Sequence, residues 1–167
     1  READPNHPIY ALEIGWRLGG FGHFKDIADY QGYDVYPEVG EQISLIGGRA
    51  DQLVAEMEGE KPFIAYLKAY DRDSADAYMS FGEAYLALIH GANGIFYWVL
   101  EDSGPIWDTL SQIANEVNTL THVLVSPAFF IDRNGAFGTC TDDADEIEQA
   151  LKFGADGFGY ILSSNTV

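Results

Sequence analysis

Leu86-Ala87-Leu88-Ile89-His90-Gly91-Ala92-Asn93-Gly94-Ile95-Phe96-Tyr97-Trp98 carries a helical face through a glycine turn directly into an apolar strand. Upstream of the turn, Tyr78, Phe81, Tyr85, Leu88, Ile89 and Ala92 recur at three and four, the spacing that gathers apolar side chains on one side of a helix. Ser74 is the N-cap candidate of that helix, and its aromatics Tyr78, Phe81 and Tyr85 are expected in the core. His90 falls at the helix end, beside the partial negative charge of the last carbonyls. The strand that follows, Gly94 to Leu100, is the most apolar in the chain. A helix delivered into a strand by so short a turn is one step of a βα alternation with a parallel sheet.

The same step recurs toward the N-terminus. Pro8 to Ile14, Tyr33 to Pro37 and Pro62 to Leu67 are strand-like runs bounded by Pro or Gly. Ile43, Ile46, Ala50, Leu53, Val54 and Met57 predict a helix over about 41–58, with Gly59 as its C-cap. Trp107, Leu110, Ile113, Ala114, Val117 and Leu120 predict another over about 106–120, and Phe21 to Gln31 is expected to be short and partly helical. Strands recur roughly every 25 to 32 residues, about one eighth of a barrel of about 250 residues. The expected fold class is therefore α/β, the C-terminal half of a (β/α)8 TIM barrel with strands five to eight. An open doubly wound sheet would alternate likewise, but no Gly-rich phosphate loop stands at any strand-to-helix junction.

Beyond Leu120 the pattern changes. Val123-Leu124-Val125, Phe129-Phe130-Ile131 and Ala136-Phe137-Gly138 are short and strand-like, with Asn134-Gly135 as a turn. Ile147 to Phe153 alternates at period two, Gly154-Ala155-Asp156-Gly157 turns, and Tyr160-Ile161-Leu162 returns, which predicts a hairpin. The boundary is set near 122: residues 1–121 as the half barrel, and residues 122–167 as a partial antiparallel β-domain, the start of a β-sandwich.

Composition excludes several partners. Twenty-seven acidic residues against nine basic ones give a net charge of −18, a field that repels nucleic acid and anionic membrane surfaces and otherwise reads as a solubilising surface. Cys140 is the only cysteine, and His7, His23, His90 and His122 are too far apart in sequence for a local metal motif. Neither metal nor cofactor is expected. No run approaches the roughly 18 to 20 apolar residues of a membrane span, and no secretory signal opens the chain. Its ends, Arg1-Glu2-Ala3 and Asn165-Thr166-Val167, suggest a segment of a longer protein. Half a barrel would leave two strand edges open, so edge-to-edge self-association is expected.

Four stretches together resemble the C-terminal part of clan-A glycoside hydrolase barrels, especially bacterial β-galactosidase-like and related sugar-active proteins. They are Ala3 to Pro8, Tyr33 to Pro37, Lys61 to Leu67 and, most specifically, Leu86 to Trp98. The resemblance implies action on O-glycosidic bonds, a carbohydrate partner and an extracellular or periplasmic parent. Such chemistry needs two carboxylates, an acid/base and a nucleophile in retaining enzymes. By resemblance the acid/base follows strand four, ahead of Arg1, and the nucleophile is a Glu ending strand seven. The matching stretch here, Ala65-Tyr66-Leu67-Lys68-Ala69-Tyr70-Asp71, has no Glu, which leaves Asp71 as the nearest catalytic candidate. A non-catalytic carbohydrate-binding or scaffold barrel is the alternative.

Functional side chains of such barrels stand at the C-terminal strand ends. The substrate-binding candidates there are Asp34 and Tyr36 on strand six, Lys68 and Tyr70 on strand seven, and Trp98 with Glu101 on strand eight. Asp102, and Glu13 with Trp16 on strand five, are further rim candidates. Trp98 could stack on a sugar ring, and the carboxylates could accept from its hydroxyls.

Overall fold

The structure, a computed structural model, describes residues 6–14, 21–37, 43–70, 72, 76–98, 104–126, 128–131, 137–138 and 147–165, and only the backbone of residues 21, 76, 128–131 and 137–138. Strands β1 (Tyr10–Ile14), β2 (Tyr30–Asp34), β3 (Phe63–Lys68) and β4 (Gly94–Trp98) lie side by side in chain order, every pairing parallel. Parallel neighbours require crossovers. Helices α1 (Leu45–Glu56) and α2 (Met79–Ile89) supply two of them, and a 3₁₀ turn at Phe21–Phe24 lies between β1 and β2. Helix α3 (Pro105–Thr119) follows β4.

The core is the space between this sheet and its helices. Tyr33, Phe63, Ala65 and Leu67 pack there with Ile46, Ala50, Leu53, Ala84, Ala87, Ile106, Leu110 and Ile113. Side chains alternate along a strand, so the intervening residues occupy the other face, where Leu12, Ile14, Phe96 and Trp98 are exposed. The described sheet is open, with β1 and β4 each paired on one side.

Three expectations about elements are corrected. Strand β2 starts at Tyr30, ahead of the expected Tyr33-to-Pro37 run. Gln31-Gly32 looks like a turn, yet Gln31 is fully buried, and a Cβ at Gly32 would overlap the Tyr10 hydroxyl. Tyr78 is 77% exposed rather than core. It closes a 3₁₀ turn, Asp76–Tyr78, whose tighter winding rotates it off the α2 face, and α2 buries Ala84, Leu86 and Ala87 instead. Finally, Val123-Leu124-Val125 is not a strand but lies in and just after the short helix α4 (Thr121–Leu124). Thr121 Oγ1 donates to the Val117 and Asn118 carbonyls, tying that turn onto the end of α3.

The second sheet holds β5 (Ala128–Ile131), β6 (Phe137–Gly138), β7 (Ile147–Phe153) and β8 (Gly159–Asn165) in the order β6-β5-β7-β8, all antiparallel. The expected hairpin is β7–β8, paired from Ile147↔Asn165 to Phe153↔Gly159. Gly157 takes φ +84° in its turn, a conformation glycine adopts without strain. The Asn134-Gly135 turn lies outside the described residues. The sheet docks on the helices through polar groups on its inner face. Lys152 Nζ donates to the carbonyls of Leu124 (2.8 Å) and Ser126 (2.9 Å), and Ser164 Oγ to that of Gly82 (3.1 Å). Glu148 Oε2 bonds His90 Nε2. No helix among the described residues is long and apolar enough to cross a membrane.

Candidate functional site

Parallel pairing sorts the open face of the first sheet into rows. Ile14, Asp34, Tyr66 and Phe96 form one row. The row nearer the C-terminal ends holds Lys68 and Trp98 in register, with Tyr36 two residues beyond Asp34. The first row is an aromatic floor. Tyr66 stacks on Phe96 with ring centres 5.2 Å apart and planes at 17°, and on Tyr10 at 6.0 Å and 23°. Tyr10 also meets Tyr30 at 5.0 Å. Gly32 leaves the space beneath the Tyr10 hydroxyl. Burial, with the Tyr66 ring beside it, pushes the Tyr10 phenol well above its usual range.

Above this floor, four of the sequence candidates converge. The Tyr36 and Tyr70 rings meet edge to face, 6.2 Å apart at 80°. Lys68 Nζ lies 4.9 Å from the Tyr70 ring centre, within cation–π range. The Tyr36 phenol is pushed far up, first by burial and then by the adjoining Asp34 charge, to which it also hydrogen-bonds. Tyr36 thus stays a neutral donor. Trp98 stands beside Lys68 on the same row and is 54% exposed. Asp34, Tyr36, Lys68, Tyr70 and Trp98 therefore share one rim, whereas Asp71, Glu101, Asp102 and Trp16 lie outside the described residues.

Glu13 is the exception. It is in register with Tyr33, which is fully buried on the helix side, so Glu13 faces away from the rim. Asp34 is consequently the one carboxylate on the open face among the described residues, whereas a retaining glycosidase sets two about 5 to 5.5 Å apart.

Behind the rim lies a pair that the sequence did not single out. Arg72 Nη2 and Glu83 Oε1 are 2.5 Å apart, both side chains buried. Desolvation outweighs the opposing Arg72 and Lys68 charges and pushes the Glu83 carboxyl up to about 7. Glu83 spans the gap between α2 and the segment following β3, so it ties Arg72, and with it the strand end at Lys68 and Tyr70, to the helix layer. A Glu among Ala84, Ala87 and Leu86 on a buried helix face was the available signal. Tyr10, Tyr66 and Phe96 were also missed, although period-two alternation puts Tyr66 on the Lys68 face and Phe96 on the Trp98 face.

The rim combines one carboxylate, an ammonium and two phenols with flat apolar ring faces. No three His, Cys, Asp or Glu among the described residues are grouped to hold a metal ion. No family model, curated protein or solved structure matches the chain.

Proposed function

We propose that the C-terminal rim of the parallel sheet binds carbohydrate, as one side of a cleft in a half barrel of the glycoside hydrolase kind. The observation that carries this reading is the meeting of Asp34, Tyr36, Lys68 and Tyr70 beside the exposed Trp98. A pyranose ring has an apolar face and a hydroxyl edge. Trp98 offers the ring surface, and its burial by a sugar is favourable at roughly 25 cal/mol per Å². Asp34, which holds the Tyr36 O–H, accepts from sugar hydroxyls with its remaining lone pairs, and the Tyr36 oxygen accepts from another, while the buried Lys68 supports the Tyr70 ring from behind. Such convergent polar groups fix orientation in apolar pockets. Four parallel strands in chain order, with helices on one face and an apolar row on the other, support the half-barrel part of the reading.

Binding, rather than hydrolysis, is what this set of side chains performs. Cleavage of an O-glycosidic bond requires a second carboxylate beside Asp34. The test is a fluorescence titration of the chain with a panel of β-linked oligosaccharides, repeated with Trp98→Ala. At least one sugar should give saturable quenching, and Trp98→Ala should weaken it by at least about tenfold, roughly 1.4 kcal/mol. Quenching by none of the panel, or equal affinity in the variant, would overturn the reading.

A further inference from the structure

We infer that the second sheet is fastened to the helix layer by a proton-operated joint, the cluster of Asp51, His90 and Glu148, whose grip loosens as the pH rises above neutrality. The inference stands apart from the carbohydrate reading and uses none of the rim residues.

Three elements meet at the joint. His90 closes α2, and its ring is buried. Nδ1 lies 2.8 Å from Asp51 Oδ1 on α1, and Nε2 lies against Glu148 Oε2 on β7. Glycine at position 47 of α1 leaves room for the ring, because a Cβ there would run into it. The apolar part of the docking is small. Ile89, Ala150 and Leu162 form its buried cluster, with Tyr85 and Leu124 packed beside them. The other buried residues that β7 and β8 turn inward are Glu148, Lys152 and Ser164. Much of the hold on the sheet is therefore polar, and the His90 ring is a central part of it.

Protons decide the strength of this hold. Each contact sets a ring nitrogen against a carboxyl oxygen, and both atoms are acceptors unless one of them carries hydrogen. Two bonds need two protons, whereas a neutral imidazole brings one. The second sits on the ring or on a carboxyl group, so the closed joint holds one proton more than a neutral histidine and two carboxylates. Apart and in water, the three groups release it by about pH 6.5, the ordinary histidine value. At higher pH, closing the joint takes up a proton. Its equilibrium constant falls by up to about tenfold per pH unit, until the closed joint loses the proton as well.

Two other titratable groups lie on the elements around the cluster. Burial pushes the Lys152 ammonium, on the same face of β7 as Glu148, below its usual range. That group favours docking as pH rises and so opposes the joint. The Tyr33 phenol is pushed far up, first by burial and then by the Asp51 charge, and stays protonated throughout.

Amide hydrogen exchange of β7 and β8 in the full chain, expressed as protection factors at pH 7 and pH 9, tests the joint. Protection should fall by at least about tenfold in the wild type. In Glu148→Gln the amide donates to Nε2 while a neutral ring donates from Nδ1 to Asp51, so both bonds form without the added proton. Asp51→Asn achieves the same from α1, at a side chain 44% exposed. Both variants keep Lys152, and each should hold the sheet docked without that fall. Equal protection at the two pH values in the wild type, or a fall that persists in both variants, would overturn the proposal.

Discussion

A methyl group at Gly47 would stand 2.5 Å from His90 Nε2 and 3.0 Å from Glu148 Oε2. Glycine inside a helix ordinarily costs about 1 kcal/mol relative to alanine, so Gly47→Ala on α1 would be a stabilising change at a neutral site. Here it should destabilise. His90 is buried at the end of α2, with Nδ1 2.8 Å from Asp51 Oδ1 on α1 and Nε2 against Glu148 on β7. Each ring nitrogen meets one carboxyl group, so the ring joins two helices to the second sheet. A side chain at Gly47 must push this ring away. Urea denaturation should show Gly47→Ala less stable by about 2 kcal/mol, and a gain in stability would refute the role given to the triad. The sequence placed His90 at a helix end and named a favourable dipole for it. Its two carboxylate partners lie 39 residues before it and 58 after, beyond any local pattern.

Between elements, the Arg72–Glu83 contact joins the segment after β3 to α2. Since the Glu83 carboxyl rises from 4.5 to about 7 in the fold, the native chain holds a proton in that window after the unfolded chain has released it. Stability from this group is complete below about pH 4.5 and is lost as pH rises to about 7, a fall of about 3 kcal/mol by linkage. Thermal or urea unfolding between pH 5 and 8 should show this slope, and the Arg72→Met/Glu83→Leu double variant should lack it. At neutral pH, Glu83→Leu alone should cost about 3 to 5 kcal/mol, because it strands a buried guanidinium, whereas the double variant should be near neutral. A double variant as damaged as the single one would mean that the pair does more than compensate itself. The hairpin β7–β8 and the helices α1 and α3 were legible from periodicity because each carries its own apolar face. The start of β2 was not, since Gln31 and Gly32 are held in a strand by what lies above and beside them. Nor was α4, whose helical turn is secured by Thr121 bonding back to α3.

At the scale of the whole molecule, one sign of charge dominates. Twenty-seven acidic residues against nine basic ones leave −18 on the chain, and like charges held close together in the compact fold repel. Salt shortens the Debye length from about 30 Å at 0.01 M to about 10 Å at 0.1 M, so the fold should withstand more urea at the higher salt. Urea midpoints in low and moderate salt read this, and a midpoint that falls on adding salt would contradict the repulsion. By itself the sequence determined the alternation of strands and helices, the change to a hairpin-bearing β unit, and the residue types at the strand ends, because periodicity and turn chemistry are local. Tertiary structure alone decided which of those residues share a face. Parallel register set Asp34, Tyr36, Lys68, Tyr70 and Trp98 on one rim and turned Glu13 away, and folding brought Asp51, His90 and Glu148 together, because contacts between distant segments depend on how strands align and sheets dock.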